Sequence, residues 1–235
     1  LRGVSVSEPL SLLINTATVS GVVGLARGTS PVASELLQLA TASNAVVPSI
    51  QRMLERQGCT VPDIERIVVV KGPGTFTGSR VGTSIAKALA YVAGCPLVSV
   101  TTLECVGWTG MAHLDRQDGV LPVWTLLDAR RHEFYVQQFM WRSGTLVPTD
   151  EPRCTGRDVL EAVQDSGGVA LCAFATSLAL GVGAPGAAEW QFDVYPTCEG
   201  IIAASGTGHL EDPLTLEPLY LRSMEELFDK PRDRA

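Results

Sequence analysis

The sequence predicts an α/β fold in layers, built from two related halves. Three observations carry that prediction. Short β-branched runs alternate with segments of helical periodicity over roughly the first hundred residues. A glycine-rich turn, "GPGTFTGS" from Gly72 to Ser79, joins one such strand to one such helix. Finally, "LLINTATVSGVVGLA" has a counterpart in "PVWTLLDARRHEFYVQQFMW". In each, an apolar strand ends in Asn or Asp, a polar turn follows, and a second strand returns. Asn15 and Asp128 thus fall in matching places.

The elements follow in order. Leu12–Ile14 and Gly21–Ala26 read as strands of a hairpin, because Asn, Thr and Ser separate two apolar runs. A helix is expected from Ala45 to Arg56, where Val46, Val47, Ile50, Met53 and Leu54 recur at helical spacing. Ser43 or Asn44 would cap it, Pro48 would fall near its first turn, and Gly58 would end it. "IERIVVVKG" is a buried strand running into Gly72. A second helix is expected from Gly78 to Ala93, with Val81, Ile85, Leu89 and Val92 on one face and Gly94 and Pro96 as stops. "PLVSVTTLE" reads as a strand, and the second half begins there, giving expected domains of 1–102 and 103–235. In that half come the hairpin with Asp128, a strand at Val169–Cys172, a Gly/Ala-rich loop at Gly181–Gly186, and a tail that can pack back on the first half. The tail reads as a short extended piece, a helical turn and a charged end.

Composition narrows the function. The chain has 235 residues, 46% hydrophobic and 18% charged. A compact core burying roughly 70% of the unfolded surface is expected at this size. The net charge of −7 argues against the chain alone gripping a nucleic-acid backbone. Six cysteines include no C-x-x-C and no histidine at ligand spacing, so reduced, buried thiols and a cytoplasmic location are expected. No apolar run reaches the roughly 18 residues a membrane span requires. The opening "LRGVSVSEPLS" has no hydrophobic signal core, and because it begins with Leu the natural start is left open.

The glycine turn is neither a Walker A loop nor G-x-G-x-x-G. Gly72 and Gly74 permit backbone angles that a Cβ resists, and Pro73 stiffens the turn. Thr77 can cap the helix, whose N-terminus attracts anions. Two readings stay open: a weak anion site formed by Asn15, Thr16, Gly72, Gly74, Thr75, Thr77 and Gly78, or a tight strand-to-helix turn. The helix beyond carries many small residues, among them Gly82, Ser84 and Ala88, which let another helix approach. Either the helix at 45–56 or a partner protein meets it. On the second reading Val46, Ile50, Arg80, Val81, Gly82, Ser84, Ile85 and Ala88 form a docking face.

Catalytic signals are weak. His113, His132 and His209 lie far apart, no G-x-S-x-G is present, and Glu104 and Glu133 read as isolated acids. No catalytic residue, metal or cofactor is expected.

The stretch "KGPGTFTGSRVGTSIAKALAYVAGCPLVSVTTLE" resembles the signature of the TsaB (YeaZ-like) family: a GPGSFTG-like turn, an Arg-[IV]-G helix and a strand ending in Leu-Glu. "LLINTAT", "LDARRHEFYVQQF" and "EPLYLR" resemble further family motifs, in family order. The match between Trp141 and Pro213 is looser. The resemblance implies an actin-like, ribonuclease H-like fold of the sugar-kinase and heat-shock ATPase superfamily. It implies a non-catalytic scaffold that binds a TsaD-like catalytic subunit and works with a TsaE-like ATPase. That complex makes threonylcarbamoyladenosine beside the anticodon, so tRNA would be met only through the complex. A homodimer is expected where the partner is absent. The alternative is a nucleotide-dependent kinase or ATPase of the same fold. Asn15, a neutral amide where catalytic relatives carry Asp, and the missing paired histidines argue against it.

Overall fold

A computed structural model describes residues 8–38, 42–114, 119–174 and 188–222. The first lobe contains β1 (Leu10–Asn15), β2 (Ser20–Arg27), β3 (Ser30–Gln38), α1 (Ala42–Arg56), β4 (Arg66–Val70), α2 (Phe76–Ala93) and β5 (Leu97–Val100). α3 (Thr102–His113) leads to the second lobe. There follow β6 (Val120–Asp128), β7 (Phe134–Arg142), β8 (Thr145–Pro148), β9 (Arg153–Thr155), α4 (Val159–Asp165), β10 (Val169–Cys172) and β11 (Glu189–Gln191), after which α5 (Cys198–Ser205) packs back on the first sheet. β12 (His209–Glu211) returns to the first sheet and pairs with β5.

The strand order shows a duplication. Among the described residues one sheet runs β12-β5-β4-β1-β2-β3 and the other β11-β10-β6-β7-β8. Setting β12 aside, the two orders are the same path: a three-strand meander, then parallel strands added beside its first member. β1 therefore corresponds to β6, and Asn15 and Asp128 both end the central strand of their lobe.

Strand alternation sorts the core. Leu10, Leu12 and Ile14 of β1, with Ile67 and Val69 of β4, meet Val46, Ile50, Met53, Ala86 and Ala90 of α1 and α2. On the other face Leu13, Val68 and Val70 meet Cys105 of α3 and Cys198, Ile201 and Ile202 of α5. The second sheet packs Val123, Tyr135 and Phe139 against Leu103, Val106 and Met111 of α3. Its outer face packs Trp124, Leu126 and Val136 against Val159, Leu160 and Val163 of α4. α3 thus serves both sheets and is apolar on nearly every side, as a helix enclosed in a core must be.

Several expectations are corrected. "PLVSVTTLE" is not one strand. β5 ends at Val100, and Thr101 accepts a bond from the Glu104 N–H (3.1 Å) while Glu104 accepts from the Thr101 N–H (2.7 Å). This T-x-x-E capping box starts α3, so Glu104 is not an isolated acid. α1 begins at Ala42, which puts Ser43 and Asn44 inside it and Pro48 in its second turn. The cap of α2 is Thr75, which accepts from the Gly78 N–H, and Thr77 lies within the helix, exposed. The loop at 181–186 and the charged end of the tail lie outside the described residues.

Candidate functional site

The glycine turn holds another part of the chain. The β1–β2 connection folds as an Asx turn: the Asn15 side chain accepts from the Ala17 N–H (3.0 Å) and donates to Thr18 Oγ1 (3.0 Å). That turn lies on the start of α2. The Ala17 carbonyl accepts from the Thr75 N–H at 2.8 Å, and the Thr16 hydroxyl donates to the Gly78 carbonyl at 2.6 Å. A Cβ on Gly74 would stand 2.2 Å from the Ala17 oxygen, and one on Gly78 would stand 2.0 Å from the Thr16 oxygen. Space, rather than a positive φ, is what Gly74 and Gly78 supply. Gly72 alone of the three has a positive φ, 112°, and its peptide to Pro73 is cis. Carbonyl oxygens therefore fill the place where the sequence suggested an anion among Asn15, Thr16, Gly72, Gly74, Thr75, Thr77 and Gly78. Two carbonyls repel an anion there, so the tight-turn reading fits this geometry.

The matching turn in the second lobe repeats the device. Asp128 accepts from the Arg130 N–H at 2.8 Å, two residues on, as Asn15 does from Ala17. Beyond it Arg130, Arg131 and His132 all have left-handed φ values of 64°, 55° and 60°. Between the two turns lies a cleft of about 660 Å³. Ala17–Val19 and Gly74–Phe76 line one side, Leu127–Arg131 and Tyr135 the other, with Phe174, Tyr195 and Arg222 closing it.

The C-terminal segment straps the lobes together beneath this cleft. Leu216 is buried in the first core, and its carbonyl accepts from Lys87 Nζ at 2.9 Å. The Leu219 N–H donates to the Lys71 carbonyl at 2.8 Å, and Tyr220 packs on Phe76 with ring centroids 5.5 Å apart. Arg222 then donates to the Ala129 carbonyl (2.7 Å) and forms an ion pair with Glu133. Glu133, which read as an isolated acid, holds this end of the strap. Sequence reasoning matched "EPLYLR" as a motif without its role, since no spacing links Arg222 to Glu133 in the β6–β7 turn.

The docking-face residues divide. Val46 and Ile50 are 0% and 3% exposed, enclosed by the first core. Gly82 is buried too, because a Cβ there would meet Thr16 Oγ1 at 2.4 Å. These three are corrected from surface to interior positions. Val81 and Ile85 are half-buried against the same core. Arg80, Ser84 and Ala88 face outward, and Arg80 lies over the Phe76 ring, 4.6 Å from its centroid. Their stripe continues into Tyr91 and Val92, 75% and 68% exposed.

The buried thiols are protonated at neutral pH. Burial, with Glu199 adding to it, pushes Cys198 up to about 12, and burial also raises Cys105 and Cys172. Among the described residues no three His, Cys, Asp or Glu side chains are grouped to hold a metal ion, and no helix is long and apolar enough to cross a membrane.

Two lobes of repeated strand order, a cleft between their hairpin turns and a helix shared by both sheets define an actin-like, ribonuclease H-like protein. A Pseudomonas aeruginosa protein described as similar to peptidase YeaZ has this fold, with a TM-score of 0.75 over 91% of this chain and all (100%) of that one at 17% identity. YeaZ from the same organism gives 0.73 at 16% identity, with the same shares covered. Residues 40–189 match the family model of TsaD: tRNA N6-adenosine threonylcarbamoyltransferase. The chain belongs to that family, in its TsaB (YeaZ-like) branch. "tRNA threonylcarbamoyladenosine biosynthesis protein TsaB" of Bacillus subtilis is 30% identical over 136 residues, 57% of either chain. Its namesake in Haemophilus influenzae is 30% identical over 128 residues, 54% of this chain and 52% of that one. These matches span little more than half the length of the curated relatives.

Proposed function

We propose that this chain is a non-catalytic subunit of a cytoplasmic complex that places threonylcarbamoyl groups on tRNA adenosine, and that it docks on a TsaD-like catalytic subunit. The names of its relatives support the pathway. The observation that carries the docking is the outward stripe of α2. Arg80, Ser84, Ala88, Tyr91 and Val92 present an outward stripe of small and apolar surface, while Val46, Ile50, Met53, Leu54, Ala86 and Ala90 of the two helices are turned into the core. A partner helix can lie close along Ser84 and Ala88, and Tyr91 supplies an aromatic anchor of the kind that dominates interfaces. The partner supplies the chemistry, and a TsaE-like ATPase joins the assembled pair. A second copy of the chain fits the same stripe, so a homodimer would compete with the heterodimer.

Co-expression with a TsaD-like protein tests this. Ser84→Arg and Ala88→Glu should each abolish capture with an unchanged melting temperature, because both side chains already face solvent. Undiminished capture by both folded variants would move the interface elsewhere. Failure of the parent chain to bind any TsaD-like subunit would end the functional reading itself.

A further inference from the structure

We propose that the interlobe cleft is the docking site of the chain's own C-terminal tail, with Met224, Leu227 and Phe228 seated between the two hairpin turns. Residues 223–235 lie outside the described residues, and their sequence reads as a short amphipathic helix. Ser223 and Glu226 have the S-x-x-E spacing of a capping box, the same signal that starts α3 at Thr101 and Glu104. Met224, Leu227 and Phe228 recur at i, i+3 and i+4 and share one face, while Glu225, Glu226 and Asp229 fall on the other. Pro231 disfavours helix at Lys230 and so marks the end. An apolar stripe of this kind needs a surface to cover it.

The strap delivers this segment to the cleft. It runs from Leu216 in the first core, past Phe76 at Tyr220, to Arg222, which is itself a wall of the cleft. The tail therefore begins at the rim. Phe228 follows six residues later, about 9 Å along a helix at 1.5 Å per residue, which matches the span of a cleft of about 660 Å³. The lining suits apolar side chains. Ala17, Ala129 and Ala173 leave space, and the rings of Tyr135, Phe174 and Tyr195 wall it. Asp128 has Arg130 at 3.5 Å, and Arg222 has Glu133, so both charges are balanced within the protein. The Thr75 N–H and the Thr18 hydroxyl hydrogen are spent on the Ala17 and Ser20 carbonyls. Three apolar side chains entering here displace water from the rings, and that release drives the docking. With the tail in place, a solute reaches the cleft only by displacing it.

All of this is measured on the full chain alone, apart from any docking partner. Nuclear magnetic resonance would follow the protein labelled at its Met, Ala and Val methyls and its Phe rings. The chain has four methionines, and Met224→Leu assigns the one in the tail. The Met224 methyl and the Phe228 ring should show Overhauser contacts to the methyls of Val19, Ala129 and Ala173, with a strength that dilution leaves unchanged. Phe228→Asp should remove the Met224 contacts and speed amide exchange at Leu227 at least about tenfold. If that variant fails to fold, the parent spectrum decides. A Met224 methyl without contacts to the cleft overturns the proposal. Contacts to Ala88 instead place the tail on α2 and overturn it too. So do contacts that vanish on dilution, which mark the tail of a second copy, and Met224 contacts that a folded Phe228→Asp leaves unchanged.

Discussion

Gly78→Ala distinguishes two physical accounts of the glycine turn by the sign of its effect. Gly78 is the third residue of α2. If it were merely a weak helix former, alanine would stabilise the protein by up to about 1 kcal/mol. The structure gives the opposite sign. The new Cβ would stand 2.0 Å from the Thr16 carbonyl oxygen and 2.5 Å from Thr75 Oγ1. Carbon and oxygen ordinarily approach to about 3.3 Å. The β1–β2 turn must therefore retreat by about 1 Å or more. That loosens the 2.6 Å Thr16–Gly78 bond and the 2.8 Å Thr75–Ala17 bond, each worth about 1 kcal/mol. It also disturbs the Thr75 cap, worth about 1 kcal/mol. Overpacking adds about 1–3 kcal/mol. Partial relaxation and the propensity gain offset some of this, leaving a net loss of about 2–4 kcal/mol. At this chain length that lowers the melting temperature by roughly 5–15 °C. Thermal unfolding followed by circular dichroism and calorimetry would read it. Gly94→Ala is the control, since nothing lies within 4 Å of its Cβ position and only the φ of 64° is strained. A Gly78→Ala melting temperature equal to or above the parent's would refute the close-approach argument.

Two further predictions concern the strap and its neighbourhood. Arg222→Ala should cost roughly 2–4 kcal/mol by deleting an ion pair and a carbonyl contact, and Arg222→Lys should restore little, because a single ammonium cannot reproduce the fork. Faster amide exchange at Ala129–Glu133 would show the tie was lost there, and exchange identical to the parent's would count against the strap. Glu211 joins β12 to the sheet: burial alone would raise its pKa, but hydrogen bonds from Ser99 and Lys71 outweigh that and hold it below the ordinary carboxylate value. A lowered folded pKa gives stability that is complete above the unfolded value, about 4.3, and is lost as pH falls through the lower folded value. The stability difference between parent and Glu211→Gln should therefore shrink from about pH 6 to pH 3 in urea titrations, and a constant difference would contradict it.

The elements legible in the sequence are those with a one-sided environment. β4 is a plain β-branched run, and α2 shows a helical period because one face meets the sheet and the other meets solvent. α3 shows no such period, since two sheets bury it from opposite sides. Its signal was the T-x-x-E box at Thr101–Glu104, hidden at the end of a strand-like stretch. β3 lies at a sheet edge and carries Pro31 and Glu35 among weakly alternating neighbours, so it gave no clear strand pattern. The cleft was least legible of all. Its walls come from both hairpin turns, the start of α2, the end of β10, Tyr195 and the strap. Only the tertiary fold brings these together, and no local spacing encodes it.

The repeated turn also changes how Asn15 is understood. Compared with catalytic relatives, a neutral amide at the end of the central strand looks like the loss of a metal-facing carboxylate. The structure supplies a separate physical reason for it. Both copies of the turn need an acceptor for the N–H two residues on, and Asn15 and Asp128 each provide one. Their surroundings differ. Asn15 is fully buried beneath α2, whereas the Asp128 side chain is 20% exposed and Arg130 stands 3.5 Å away. A carboxylate at Asn15 would be desolvated with no cation among its hydrogen-bond partners, which costs several kcal/mol. It would also lose the donor that now reaches Thr18, whose own hydroxyl hydrogen goes to the Ser20 carbonyl at 2.6 Å. Two acceptors would then face each other in the core. The amide is the side chain that completes this buried turn, and the aspartate is tolerated where water and an arginine reach it.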